Sequence, residues 1–392
     1  MSDIIYFDNA ATTRVRDEVF EAMRPFLQNA YGNPSSIYKI ARESKVAMEN
    51  AREQVAKALG AKAEEIYFTG CGTEADNWAI KSIAWNNKHK GNHIITTKIE
   101  HHAVLHTCEY LEKQGFEVTY LPVDADGLIS LADLENAIKP ETILISIMFA
   151  NNEIGTIQPV FEISEIAHKH NILFHTDAVQ AVGHVPINVK DMGIDMLTLS
   201  AHKIYGPKGV GVLYVRTGIP LKPFIHGGAQ ERGRRAGTEN VAGIVGLGKA
   251  IELITAEMDV EMKKTTKLRN KLIDGILGSV PNCRLNGHRD KRLPGNANIS
   301  FEFIEGESIL LMLDMKGIAA SSGSACTSGA LDPSHVLLAI GLPHEKAHGS
   351  LRLTLGRYNT EEEVDTLLNV LPPIVQRLRD MSPLYESFMK GR

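Results

Sequence analysis

Three apolar segments of the chain end in glycine turns or polar side chains that could do chemistry. They read "EIYFTGCGTEADNWAI" (65–80), "ILFHTDAVQAVG" (172–183) and "DMLTLSAHKIYGPKG" (195–209). The first offers bare N–H groups ahead of a helix that starts at or just after Thr73, which suits a phosphate. In the second, the apolar run ends at Asp177, whose carboxylate could hold a proton on a heterocyclic nitrogen. In the third, the apolar run is followed by Lys203, whose amine becomes nucleophilic when burial favours its neutral form.

Each segment also has a purely structural interpretation. Thr73 and Asp76 have the spacing of a capping box, and Asp177 could cap a following helix. Lys203, taken alone, could be an ordinary solvated loop lysine. A phosphate cradle, an aspartate and a lysine on successive strand ends together favour a pyridoxal phosphate site.

A thiol occupies an unusual place near the end of the chain. The segment "SSGSACTSGALDP" (321–333) sets Cys326 among serine, glycine and alanine. Because such residues cannot pack a core, we expect this loop to be exposed and mobile. A thiol in that position is either incidental or a nucleophile, and the nucleophile is the thiolate.

The elements that carry these residues alternate along the chain. From about residue 64 to 215, short apolar runs alternate with amphipathic stretches, which predicts an α/β domain whose mostly parallel sheet is flanked by helices. Ligands of such sheets bind at the carboxyl ends of the strands. Residues from about 239 to 278 are predicted to be helical and to lead into a smaller α+β domain.

Composition and charge exclude several classes of function. The 392 residues carry a net charge of −5, which provides no overall basic field for nucleic acid or an anionic membrane. The four cysteines form no CxxC pair, so a disulfide framework or a cysteine zinc site is not expected. Since the start shows no leader pattern and no apolar run reaches membrane-spanning length, we expect a cytoplasmic protein.

The order of motifs along the chain is that of a known family. The motifs read "YFDNAATT", "YGNPSS", "GTEADN", "EHHAV", "ANNEIGT", "HTDAVQAVG", "SAHKIYGPKG", "GGAQERGRRAGTEN", "SSGSACTSG" and "LRLTLGRYNT". With them the chain resembles the cysteine desulfurases of the NifS and IscS type, pyridoxal phosphate enzymes of the aminotransferase-like fold type I. We therefore expect a large cofactor-binding domain over 17–255, and a small domain formed by 1–16 and 256–392 that carries the cysteine loop.

The resemblance implies how the cofactor would be held. Lys203 would bind it covalently, Asp177 would pair with the ring nitrogen, and His101 would stack on the ring and assist proton transfer. The other implied contacts are those of Gln180 with the ring hydroxyl, of Asn152 near the ring, of Gly72, Thr73, Ser200 and His202 with the phosphate, and of Thr238 with the phosphate from the other subunit of a homodimer.

The resemblance also implies the reaction. Arg352 would bind the substrate carboxylate through its two-pronged guanidinium, with Arg357 as the weaker candidate. Cys326 would remove sulfur from L-cysteine, leaving L-alanine and a persulfide on the enzyme. The sulfur would pass to an iron–sulfur scaffold protein or another acceptor. The alternative is a selenocysteine lyase or another pyridoxal phosphate lyase or transaminase, which does not need the thiol.

One competing motif is the zinc-protease pattern H-E-x-x-H, matched by "HEKAH" at 344–348. Pro343 and Gly349 flank it and predict too short a helix to present both histidines. His102 and His106 also stand four residues apart, without an evident third ligand. We expect no metal site.

Overall fold

The central sheet of the protein has seven strands. In the computed structural model, which describes residues 4–322 and 333–391, their order is β2 (Ile66–Thr69), β8 (Gly211–Val215), β7 (Met196–Ser200), β6 (Leu173–Asp177), β5 (Thr142–Ser146), β3 (His93–Thr97) and β4 (Glu117–Leu121). The neighbours from β7 to β4 run parallel, while β8 is antiparallel to both β7 and β2. This confirms the predicted fold class.

Helices cover both faces of this sheet. The helices in the described part of the chain, including those that lie away from the sheet, are α1 (Asp17–Gln28), α2 (Lys39–Leu59), α3 (Gly72–Asn87), α4 (His102–Glu112), α5 (Leu131–Ala137), α6 (Val160–Lys169), α7 (Gln230–Gly233), α8 (Val241–Ser279), α9 (Gly306–Asp314), α10 (His335–Ala339), α11 (His344–His348), α12 (Glu361–Asp380) and α13 (Pro383–Lys390). On one face α1, α2 and the first half of α8 form a single core with the sheet. On the other face α3 and α4 form a second core.

The strands read as unbroken apolar runs because both of their faces are buried. In β3, Ile95 packs with the α2 and α8 side while its neighbour Ile94 packs with the α3 and α4 side. Ile145 and Leu144 of β5 divide in the same way. Alternation of side chains along a strand therefore supplies two cores from one sequence.

A further core lies in the C-terminal part of the chain. It contains the antiparallel strands β9 (Cys283–Leu285), β10 (Asn296–Phe301) and β12 (Ser350–Thr354), packed against α9, α12 and the second half of α8. The N-terminal strand β1 (Ile5–Tyr6) joins this part by pairing with β11 (Ile318–Ala319). The domain bounds at residues 16 and 255 stay a prediction, and the second of them falls inside α8.

Of two helices suggested by the sequence, one forms and the other does not. The helix expected over about 239–278 is α8, at Val241–Ser279. No helix directly follows Asp177, since the described chain from 178 to 195 forms turns, bends and irregular segments. Among these residues we find no helix with the length and apolar character needed to cross a membrane.

A buried ion pair ties α2 to the turn at α7. Arg52 and Glu231 form two hydrogen bonds of 2.9 and 2.8 Å, and both side chains are almost fully buried. Glu231 also accepts a hydrogen bond from the backbone N–H of Phe68 in β2. Loss of either partner would leave an uncompensated buried charge.

We therefore expect Arg52→Met to destabilise the protein by about 3–5 kcal/mol. The matched control is Arg14→Met, because Arg14 pairs with Asp17 at an exposed site, where a pair contributes at most about 1 kcal/mol. Urea unfolding monitored by circular dichroism compares the two variants. Equal midpoints for both would contradict the stabilising role of the buried pair.

Candidate active site

Ten of the predicted site residues line one cavity at the carboxyl ends of the strands. The cavity has a volume of about 280 Å³. Those ten are Gly72, Thr73, His101, Asn152, Asp177, Gln180, Ser200, His202, Lys203 and Arg352, and Ala10, Ala11, Cys71, Asp76, Met148, Ala150 and Val179 complete the lining. The segments that follow β2, β3, β5, β6 and β7 thus converge, as expected for an open parallel sheet.

The glycine turn after β2 brings the start of α3 close to the sheet. A Cβ placed on Gly72 would lie 2.9 Å from Cγ2 of Val179, so only a glycine allows this approach. The helix begins at Gly72 with Cys71 as its N-cap, one residue before the expected start. Thr73 faces the cavity, and the capping box that the spacing of Thr73 and Asp76 would allow does not form.

Asp177 lies at the end of the buried strand β6. Burial raises the pKa of Asp177 to about 6, while the N–H of Val179 and the charge of Lys203 oppose that rise. Val179 donates its backbone N–H to Oδ1 of Asp177 at 2.9 Å. The carboxyl group is therefore mostly ionised at neutral pH, and a cationic ring nitrogen would stabilise the ionised form further.

Lys203 is held in the cavity by the N-terminal segment. Its Nζ donates hydrogen bonds to the carbonyl oxygens of Ala10 at 2.5 Å and Ala11 at 2.8 Å. Gln180 also donates its side-chain amide to Ala10, at 3.0 Å. The motif that contains residues 10 and 11 therefore fixes the two side chains expected beside a cofactor ring.

His101 is the N-cap of α4 and lines the cavity. Its Nδ1 accepts the backbone N–H of Ala103 at 3.1 Å. Burial, with neighbouring cationic groups, lowers the pKa of His101 to about 4. The ring is therefore neutral at pH 7, with its proton on Nε2.

His202 is also neutral at pH 7. Its Nδ1 lies 3.1 Å from the hydroxyl of Thr12, and burial lowers its pKa to about 4. The N–H and hydroxyl of Thr13 both bond to the His202 carbonyl. The N-terminal segment thus holds this edge of the cavity as well.

Arg352 enters the cavity from β12. Its side chain is 3% exposed, donates to Oδ1 of Asp8 at 2.9 Å and to the carbonyl of Asn152 at 3.2 Å, and keeps a buried Nε that has no hydrogen-bond partner among the described residues. A buried donor without a partner suits an anionic ligand. Arg357, the weaker candidate, does not line the cavity and pairs with Glu257 and Glu261.

One predicted residue lies in a different pocket. Thr238 lines a separate pocket of about 170 Å³, which also contacts Gly70 at the glycine turn. Its expected role across a dimer interface stays a prediction. Cys326 lies outside the described residues.

The two histidine motifs form compact ring pairs. "HEKAH" does form a helix, α11, and brings the rings of His344 and His348 to 4.6 Å, contrary to the expectation that it is too short to present both. His102 packs against His106 and His335. Within 4–322 and 333–391, no group of three potential ligands is placed to hold a metal ion.

Sequence reasoning missed several residues of the site. Asp8 orients Arg352, and the carbonyl groups of Ala10 and Ala11 hold Lys203. The spacing of Asp76 suggests only a helix cap, yet this residue lines the cavity. The N-terminal motif "YFDNAATT" is the available signal for the first three.

These features fit pyridoxal phosphate. Gly72 lets the start of α3 approach the sheet closely, and neutral His202 with the Ser200 and Thr73 hydroxyl groups offers donors to a phosphate. Asp177 supplies the carboxylate for a ring nitrogen, and the Lys203 amine shares the same cavity.

Comparisons with known proteins decide the family. The aminotransferase class-V model matches residues 5–367. A curated relative from Methanosarcina thermophila, named cysteine desulfurase IscS, is 63% identical, with 97% of this chain and 94% of the relative covered. A second of that name, from Clostridium botulinum, is 60% identical and covers 100% of this chain and 99% of the relative. The chain belongs to the cysteine desulfurases of the aminotransferase class-V family.

Two similar solved structures agree with the fold. A NifS-like protein is 43% identical with a TM-score of 0.91, over 96% of this chain and 100% of the other. A structure described as SspA in complex with cysteine is 41% identical with a TM-score of 0.81, over 91% and 100%. As a cysteine desulfurase the protein is a pyridoxal phosphate enzyme, so the predicted cofactor is confirmed.

The role of Gly72 in the proposed phosphate site can be tested by adding a single methyl group at this position. Gly72→Ala places a methyl group against Val179, and overpacking of this kind costs about 1–3 kcal/mol. We expect the Kd of the apoprotein for pyridoxal phosphate to rise about tenfold or more. Gly278→Ala is the control, because a Cβ at that position in α8 meets nothing within 4 Å.

Absorbance titration of the apoproteins with pyridoxal phosphate measures both constants. If Gly72→Ala and Gly278→Ala both bind the cofactor as tightly as the natural protein, close approach at Gly72 does not shape the phosphate site.

Proposed function

We propose that the protein converts L-cysteine to L-alanine, retains the sulfur as a persulfide on Cys326 and donates it for iron–sulfur cluster assembly. The observation that carries this proposal is the convergence of Lys203, Asp177 and Arg352 on one cavity. The relatives named cysteine desulfurase support the reaction. The complex of the similar SspA with cysteine supports L-cysteine as the substrate.

Arg352 would bind the substrate carboxylate. Its guanidinium is held in place by Asp8 and the Asn152 carbonyl, and its unpartnered Nε remains for a ligand. Asn152 lines the cavity beside it. Because Arg352 approaches from the C-terminal part of the chain, it would fix the amino acid between the two parts.

Lys203 would move the proton at the substrate Cα. When bound, pyridoxal phosphate accepts the electron pair that deprotonation leaves on that carbon. Lys203 lies in the same cavity as Asp177, which would keep the ring nitrogen protonated. Neutral His101, with its proton on Nε2, could donate a hydrogen bond or pass on a proton within the cavity.

Cys326 would take the sulfur. Its thiolate attacks the substrate Sγ, an S–S bond forms, and the Cβ–Sγ bond breaks with its electron pair going to Cβ, which then takes a proton to give alanine. The thiolate leaves this step as a persulfide. That sulfur would then pass to a scaffold protein or another acceptor.

We also propose a homodimer in the cytoplasm. The region from α1 to α2 exposes several large apolar side chains, among them Ile37 at 89% and Tyr31 at 74%. Apolar exposure on this scale supports an interface with a second copy, to which Thr238 would contribute. Cys71 is an exposed free cysteine, which supports a reducing compartment.

The sulfur transfer is tested by Cys326→Ala. With L-cysteine as substrate, we expect alanine formation to fall on the order of 10³-fold or more, because the nucleophile is lost. Cys283→Ala is the matched control, since Cys283 lies in β9 away from the cavity and donates its thiol hydrogen to the backbone carbonyl of Val280. Mass spectrometry of alkylated peptides should find one added sulfur atom on the Cys326 peptide of the natural protein.

Undiminished alanine formation by Cys326→Ala would rule out this role of the thiol. If the natural protein turned over selenocysteine but not cysteine, it would instead be a lyase.

A further inference from the structure

A second carboxyl group, that of Asp76, lies beside Asp177 in the cavity lining. Asp76 projects from the first turns of α3, is 1% exposed and lines the same cavity as Asp177. Its Oδ1 is buried and has no hydrogen-bond partner among the described residues. The proposed reaction gives this carboxyl group no task.

Polar side chains connect Asp76 to the interior of the sheet. The hydroxyl of Thr198 is a neighbour of Asp76 that favours its ionised form, Thr198 Oγ1 lies 3.1 Å from Nε2 of His175, and Nδ1 of His175 lies 2.9 Å from the hydroxyl of Ser146. His175 is fully buried, and burial lowers its pKa to about 3. The imidazole is therefore neutral, although its Nε2 lies 3.7 Å from Oδ1 of Asp76.

A neutral imidazole carries one proton, so the chain can run in either of two directions. If Asp76 is ionised, Ser146 donates to His175, His175 donates to Thr198, and Thr198 donates to Asp76. If Asp76 is protonated, it donates to Thr198, and every later bond reverses. In the second direction the proton of the Asp76 carboxyl group has a hydrogen-bond acceptor, and Asp76 needs no cation as a partner.

The charges around Asp76 favour the protonated form. Burial raises its pKa well above the usual value, and the negative charge of Asp177 raises it further. The hydroxyl of Thr198 opposes this rise in the pKa of Asp76, whereas Glu100 and the Cys71 thiol add to it. Asp177 differs because it has the Val179 N–H and the Lys203 charge. Two neighbouring carboxyl groups in unequal surroundings titrate apart.

We propose that Asp76 is a positioning residue that stays a neutral acid beside the cofactor ring, so that the negative charge of the Asp76–Asp177 pair resides on Asp177. The proposal rests on the proposed role of Asp177. A neutral Asp76 leaves Asp177 as the partner for a cationic ring nitrogen. The chain through Thr198 and His175 holds the acidic proton in place.

The stability of the apoprotein tests this proposal without any turnover. A carboxyl group whose folded pKa is raised takes up a proton on folding, so its contribution to stability is lost as pH rises from the unfolded pKa towards the folded one. Asp76→Asn keeps the shape and the neutrality but cannot ionise. We therefore expect the Tm of Asp76→Asn, minus that of the natural protein, to rise by at least about 2 °C between about pH 5 and pH 8.

The matched control is Asp133→Asn, because Asp133 is exposed on α5 and its substitution should give a difference that does not grow with pH. A Tm difference for Asp76→Asn that stays constant or falls over this range, whatever its sign, would overturn the proposal, since folding would then not raise the pKa of Asp76. Asp76→Ser, which is also neutral at every pH, repeats the test if the asparagine variant does not fold. Failure of both neutral variants to fold would also overturn it.

Cofactor binding separates this proposal from the role of Asp177. We expect Asp76→Asn to bind pyridoxal phosphate with a Kd within about threefold of the natural value. The Kd of Asp177→Asn should rise about 100-fold or more. Equal large losses in both variants would contradict a neutral Asp76. Undiminished binding by Asp177→Asn would instead contradict the role of Asp177, and the pH profile of Asp76→Asn would still decide the present proposal.

Discussion

The burial of one carboxylate, that of Asp177 at the end of β6, is the constraint on which the rest of the site depends. A carboxylate without compensation in a protein interior costs several kcal/mol or becomes protonated. Here the compensation comes from the Val179 N–H and the charge of Lys203. The pyridinium ring of the cofactor would add a direct partner. The strand end thus favours a cationic heterocycle before any substrate arrives.

The N-terminal segment connects this carboxylate to the remaining side chains. Asp8 pairs with Arg352 from β12, the carbonyl groups of Ala10 and Ala11 accept from Lys203, and Thr12 contacts His202. One short stretch of chain, which turns at residues 9–11, therefore contacts both parts of the molecule. Since these contacts involve both the expected substrate-binding residue and the expected cofactor lysine, a change in this stretch should affect binding and chemistry together.

Much of the fold could be predicted from sequence because the sheet is buried on both faces. Unbroken apolar runs such as those of β5 and β7 are typical of strands in a sheet covered on both sides, and the polar residues that end them converge for a topological reason. The spacing of residues along the chain led to a wrong prediction where tertiary packing determines the local structure. Thr73 and Asp76 match a capping box, but the close approach at Gly72 moves the N-cap to Cys71 and turns both side chains to the cavity.

Other parts of the site left no local signal. Asp8 and Arg352 are 344 residues apart in sequence, so their ion pair cannot be read from spacing. The chain from Asp76 to Ser146 joins α3, β7, β6 and β5, and each of its members has an ordinary interpretation in its own segment. The assignment of Cys326 depends on the family resemblance, because small polar neighbours indicate exposure and say nothing of reactivity.

The formation of L-alanine from L-cysteine tests the central claim most directly. The purified protein, loaded with pyridoxal phosphate and supplied with a thiol reductant, should release alanine and sulfide in equal amounts over many turnovers. Bound cofactor with no alanine, or pyruvate and ammonia in its place, would contradict a desulfurase and indicate elimination at this site.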